Sequence, residues 1–196
     1  MIKDHYGQPA AYIQQREGLF SRAECSSILQ LRLDETQRRG RGRDLVVFAD
    51  DAPAVWTDTL GLLRSRLAPL VTEYSKSFLD LLPRQHIDIS HIGFLTDEHG
   101  SFTELHYDWE LVLLKGRVLP KPFVVLIYLS EIEEGGDLLF PVQQTVVRPT
   151  LGKAAIFPCH FAFPHLSQPV LKGVKQVCRV TYRIHPDAYR VDELEI

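Results

Sequence analysis

Residues 103–109 read Thr103-Glu104-Leu105-His106-Tyr107-Asp108-Trp109. An imidazole and a carboxylate two positions apart, set among strand-favouring residues, project from one face of an extended chain, because successive side chains alternate between faces. Such a pair is half of a metal site. Two further histidines, His160 and His165, stand downstream. Two neutral imidazoles and one carboxylate form the donor set that covers one face of a non-haem Fe(II) octahedron and leaves positions open for a co-substrate and dioxygen. By residue type alone, either downstream histidine completes the set.

The rest of the chain must position these groups. It has 196 residues, enough for one domain with a substantial core. With 45% hydrophobic and 24% charged residues, its composition is that of an ordinary folded protein. A net charge of -3 offers no global attraction to nucleic acid or an anionic membrane, so neither partner is expected. Cys25, Cys159 and Cys178 are odd in number and show no close pairing, which suits reduced thiols. The first residues lack the pattern of a secretory signal, and no apolar run approaches the roughly 20 residues needed to span a bilayer. A cytoplasmic location is the expectation.

Helices come first. Ser21 and Glu24 stand at capping-box spacing after Leu19 and Phe20, and Ile28, Leu29 and Leu31 follow. Residues 36–44 alternate glycine with Arg38, Arg39, Arg41 and Arg43 and read as a solvated loop, a candidate lid over an acidic substrate. Residues 45–48 read as a short strand. Apolar residues recur at helical spacing from Ala54 to about Leu81, with Pro69 as a kink or break. After Pro83 the texture changes to short β-rich runs starting at His86, Ser101, Glu110, Phe123, Asp137, Thr145, Ala154 and Lys175. Residues 111–122 suggest a hairpin, and the last five residues a frayed tail. Helices followed by strands predict an α+β fold, with the helices covering one face of an antiparallel sheet or barrel. Nothing in the sequence divides the chain, so residues 1–196 are read as a single domain, with helical support over 1–82 and a β core over 84–186.

The stretch that follows the His-x-Asp motif resembles the 2-oxoglutarate and Fe(II)-dependent dioxygenases, in particular their prolyl 4-hydroxylase-like branch. The resemblance rests on Tyr128-Leu129-Ser130, on Gly135-Gly136 leading to Phe140-Pro141, and on His165 followed by Pro169-Val170 and Lys175. It covers roughly residues 84 to 185, and Phe20 to Cys25 is similar to the family's first helix.

The resemblance implies a double-stranded β-helix of jelly-roll, cupin-like form. It chooses His165 over His160, because only His165 precedes Lys175 by ten residues with Pro-Val-x-x-Gly between them. His106, Asp108 and His165 are then the implied metal ligands and catalytic residues. Lys175 takes the place that pairs with the distal carboxylate of 2-oxoglutarate, and Tyr128 that of a tyrosine bonding to the same group. The implied reaction consumes O2, decarboxylates 2-oxoglutarate to succinate and CO2, and hydroxylates an unactivated C–H bond. An amino acid, small metabolite or short peptide is the expected substrate.

Strand parity adds a reading of its own. Lys175, Val177, Arg179, Thr181 and Arg183 share one face, so Arg179 and Thr181 are expected to point toward the cavity. Arg179 is a candidate for a substrate carboxylate or the near end of 2-oxoglutarate. The family's tyrosine before His-x-Asp is absent here; His91 and Phe94 stand in that region instead. His5, His86, His91, His99, His160 and His185 are read as surface or hydrogen-bonded core residues. Trp109 and Tyr107 are expected to face away from the site, and Gly135-Gly136 to form at least a turn. Two other readings keep the same ligands: a metal-binding cupin-like barrel without oxygenase activity, and a zinc-dependent hydrolase.

Overall fold

The computed structural model describes residues 9–39, 45–78, 87–109, 111–114 and 117–184. The tail, His5, His86, His185, Arg41 and Arg43 lie outside them. Two helices, α1 (Arg22–Arg39) and α2 (Thr57–Phe78), are interleaved with two short strands, β1 (Gln14–Arg16) and β2 (Val46–Phe48). Ten strands follow: β3 (Ile87–Asp97), β4 (Thr103–His106), β5 (Leu111–Leu114), β6 (Arg117–Pro120), β7 (Phe123–Tyr128), β8 (Ile132–Gly135), β9 (Leu138–Phe140), β10 (Thr145–Val147), β11 (Ala154–Pro158) and β12 (His165–Ser167). The last two are β13 (Val170–Gly173) and β14 (Lys175–Ile184).

A six-stranded antiparallel sheet has the order β1-β11-β7-β14-β3-β2. A four-stranded sheet, β10-β9-β12-β4, supplies the second layer, and β13-β8 and β5-β6 form two-stranded ribbons. This is the double-stranded β-helix expected of the chain, with helical support.

Period-two alternation gives the larger sheet two apolar faces. Phe123, Val125 and Ile127 of β7, with Cys178 and Val180 of β14, pack in one cluster with Cys25 and Ile28 of α1 and Leu60, Leu63, Leu67 and Leu70 of α2. The intervening residues Val124, Leu126 and Tyr128 turn the other way and join Leu138, Phe140, Phe157 and Val177 in a second cluster between the sheets. The helices therefore buttress the sheet from behind, and the cavity-bearing core lies in front.

The capping box starts α1 as read: the Ser21 N–H donates to Glu24 Oε2 at 2.8 Å, and the Glu24 N–H donates to Ser21 Oγ at 3.2 Å. Other details differ. α1 continues to Arg39, so the first four residues assigned to the basic loop are helical. α2 runs through Pro69 without a break. Pro69 is exposed while Leu63, Leu67 and Leu70 are buried, and packing of that stripe outweighs the one backbone bond that proline lacks. The hairpin expected in 111–122 is present as β5 and β6. Strands β1, β8, β12 and β13 carry no apolar alternation long enough to show in the sequence. All three cysteines are buried and none is in a disulfide.

Candidate active site

β4 and β12 are antiparallel neighbours in which His106 and His165 are direct partners. Partnered residues present their side chains on one face, and the two imidazole centroids lie 4.4 Å apart. His106 Nδ1 lies 2.8 Å from the Glu104 carbonyl oxygen, and His165 Nδ1 lies 3.0 Å from that of Phe163. A carbonyl only accepts, so each Nδ1 is the protonated nitrogen and each Nε2 keeps its lone pair. Burial pushes the His165 pKa below the usual imidazole range, against the opposing pull of the Phe163 carbonyl and Asp108. The ring is therefore neutral near pH 7, the form that binds a metal. Phe140 and Phe157 hold it in place, with ring centroids 5.2 and 5.0 Å away.

β4 ends at His106, so Asp108 lies just past the strand rather than within it. It is still buried, at 7% exposure, and its Oδ1 is 3.5 Å from Arg179 Nη1, long for a hydrogen bond. Among the described residues no three His, Cys, Asp or Glu side chains are already gathered into a metal-holding group. The two imidazoles meet, and the carboxylate lies against Arg179. In donor chemistry the three residues fit an octahedral Fe(II) ion with open positions.

His106, Asp108 and His165 line a cavity of about 140 Å³ that also includes Tyr128, Lys175 and Arg179. Its walls are apolar, with Leu126, Leu138, Phe157 and Val177 among them. His160 is not part of it; that residue lines a separate cavity of about 440 Å³ beside Tyr12 and Tyr74. The volume around His106 is well below the roughly 300–1,000 Å³ of pockets that take drug-sized ligands, so its occupant is small.

Lys175 is 5% exposed. Its Nζ lies 2.6 Å from Asp97 Oδ2, donates to Ser167 Oγ, and is 3.5 Å from the Gly136 carbonyl oxygen. Register explains the pairing with Asp97, because Lys175 and Asp97 are direct partners on β14 and β3. The two glycines before β9 do more than turn the chain. A Cβ on Gly135 would come 2.3 Å from the Pro169 carbonyl oxygen, and Gly136, at φ +73°, leaves 3.4 Å between such a Cβ and the Lys175 stem. Tyr128, across from Val177, has its phenol pKa raised by burial, with Asp137 and Asp97 adding to the effect, so the hydroxyl stays a donor.

Arg179 lines the cavity; Thr181 does not, being fully buried with its hydroxyl unpartnered among the described residues. Arg183 is drawn away to Asp50, at 2.6 and 2.8 Å. His91 sits beside Phe48, and burial together with Arg179 and Lys121 lowers its pKa to about 4. His99 is bound to the Leu171 carbonyl at 2.9 Å. Trp109, 74% exposed, and Tyr107, 43% exposed, point outward.

Two polar partners of Lys175 in the cavity escaped the sequence reading. Ser167 has the parity of His165, two positions earlier on the same short strand, so period two pointed to it. Asp97 is tied to Lys175 by a cross-strand register spanning 78 positions of chain, for which sequence offers no local signal.

No protein-family model matches the chain, nor does any curated protein sequence. Solved structures do match. A viral collagen prolyl hydroxylase from Paramecium bursaria Chlorella virus-1, in complex with 2-oxoglutarate, aligns over 88% of this chain and 96% of its own, with TM-score 0.65 and 17% identity. A prolyl 4-hydroxylase from Pseudomonas putida aligns over 89% and 93%, with TM-score 0.58 and 15% identity. HygX from Streptomyces hygroscopicus, with nickel and 2-oxoglutarate bound, aligns over 88% and 83%, with TM-score 0.59 and 16% identity. At these identities the likeness is one of architecture: the chain has the double-stranded β-helix fold of 2-oxoglutarate oxygenase structures.

Proposed function

We propose that this chain is an Fe(II)- and 2-oxoglutarate-dependent oxygenase that hydroxylates an unactivated C–H bond of an amino acid, small metabolite or short peptide. One observation carries the reading: a cavity sized for a small molecule is lined by two imidazoles, a carboxylate and a buried lysine. A metal-binding barrel or a zinc hydrolase has no use for that lysine.

His106 and His165 supply their Nε2 lone pairs and Asp108 a carboxylate oxygen to the ion, which when bound supplies the redox chemistry of dioxygen activation. Lys175 offers its ammonium, and Tyr128 its hydroxyl, to the distal carboxylate of 2-oxoglutarate. Arg179, whose Nε is buried without a partner among the described residues, faces the near end of that molecule or a carboxylate of the substrate. Leu126, Leu138, Phe157 and Val177 keep water from the chain of the co-substrate. The prolyl hydroxylases that share the fold support a prolyl peptide or free amino acid as the target. Among the described residues no helix is long and apolar enough to cross a membrane.

The test is succinate release from 2-oxoglutarate with Fe(II) and O2, followed across free amino acids and prolyl peptides. Release is expected to rise with the true substrate and to vanish in His165→Ala. Release no greater than that of His165→Ala with every compound would contradict the proposal.

A further inference from the structure

Around Lys175 the cavity carries a charge arrangement that the anchoring role of that residue does not require. Lys175 is no free cation waiting for an anion. Its ammonium is in contact with the Asp97 carboxylate at 2.6 Å, and both groups line the cavity. The lysine side chain is 6% exposed and that of Asp97 18%, so water screens the pair only weakly. Arg179 likewise faces Asp108, which leaves each of the two cations lining the cavity opposite a carboxylate. A bound metal draws Asp108 to itself. Asp97 is not one of the proposed metal donors and stays with Lys175.

We infer that Asp97 sets the affinity of this cavity for the distal carboxylate of its 2-oxo acid, holding it well below what Lys175 would give alone. The inference rests on the oxygenase reading above. A dicarboxylate that reaches Lys175 shares one ammonium with Asp97. Two carboxylates within about 2.9 Å of a single nitrogen stand no more than about 6 Å apart. Like charges at that separation, in a weakly screened site, oppose one another by enough to weaken binding at least about tenfold. Asp97 meanwhile keeps the lysine stem extended across Gly136 toward Ser167, so the site is ordered but electrically balanced. The protein then responds to changes in co-substrate concentration over a higher range than an unopposed lysine would allow.

Calorimetric titration of the anaerobic Fe(II)-loaded protein with 2-oxoglutarate, and with 2-oxobutyrate, which lacks the distal carboxylate, tests this. Asp97→Asn is expected to tighten 2-oxoglutarate binding about tenfold or more and to leave 2-oxobutyrate unchanged. Asp97→Ala serves the same purpose if the amide disturbs β3, as judged by thermal unfolding. Unchanged or weaker 2-oxoglutarate binding in the folded variants would overturn the inference and leave Asp97 as a prop for the lysine. Equal tightening of both acids would also overturn it, because the effect would not involve the distal carboxylate. Binding of neither acid by the wild-type protein is a different result, and would remove the oxygenase reading itself.

Discussion

Replacing Phe140 by alanine separates the role of the inter-sheet core from that of the metal donors. Phe140 is fully buried, its ring 5.0 Å from Phe157 and 5.2 Å from His165. Removing an aromatic ring from such a position loses its transfer energy and leaves a void that the two flanking sheets cannot close, a cost of about 3–5 kcal/mol. In a chain of this length each kcal/mol lowers Tm by about 2–4 °C, so the expected drop is roughly 6–20 °C. The same void frees one side of the His165 ring, and binding of a redox-inert ion such as Zn(II) should weaken with it. Phe161 is the control. It too lies against a histidine, 4.2 Å from His160, but it is 64% exposed, so Phe161→Ala should stay within about 0.5 kcal/mol of the parent. Urea unfolding of the two variants, followed by fluorescence, gives both numbers. A loss below about 1 kcal/mol for Phe140→Ala, or equal losses for the two, would refute the packing described between the sheets.

Three further outcomes follow from local geometry. Gly135→Ala should unfold the protein at markedly lower temperature, because φ is +78° and the new methyl group would meet the Pro169 carbonyl oxygen at 2.3 Å; a Tm within 2–3 °C of the parent, about 1 kcal/mol, would contradict the β8–β13 approach. Pro69→Ala should stabilise α2 by up to about 3 kcal/mol, since the residue is exposed and its helix is otherwise continuous; thermal melting decides. Glu24→Gln should cost stability at neutral pH. The Ser21 backbone N–H and Arg66 lower the folded pKa of Glu24, so its contribution is present above the unfolded value of about 4.3 and is lost as pH falls through the folded one. Melting curves of the two proteins should therefore converge as pH falls below the usual carboxylate range, and a constant gap would contradict the cap's electrostatic part.

The extent to which the site could be read in the sequence follows from how local its parts are. His106 and Asp108 lie two residues apart, so a strand's period leads one to expect them on one face, but the strand ends at His106 and Asp108 lies against Arg179. Ser21 and Glu24 announce the first helix because a capping box is complete within four residues. The long strands β3, β7 and β14 show in their β-branched and aromatic residues. The short ones do not: β8 is Ile-Glu-Glu-Gly and β13 Val-Leu-Lys-Gly, both glycine-ended and without apolar alternation, and they pair with each other. Bringing His165 beside His106 depends on the β12–β4 register, which residue types leave open between His160 and His165; resemblance to known oxygenases made that choice. Asp97 shows the limit most plainly. In the chain it sits among Thr96, Glu98 and His99 and reads as a turn, and its pairing with Lys175 exists only once β3 and β14 are aligned.

One spectrum tests the oxygenase account most directly. A 2-oxo acid that chelates Fe(II) through its keto oxygen and near carboxylate gives a visible charge-transfer band. Fe(II) and 2-oxoglutarate added anaerobically to the wild-type protein should produce that band; His165→Ala should abolish it, and Lys175→Met should require far more 2-oxoglutarate to reach it. A wild-type protein that takes up iron yet shows neither the band nor any affinity for 2-oxoglutarate would contradict the assignment of His106, Asp108, His165 and Lys175 to an oxygenase site.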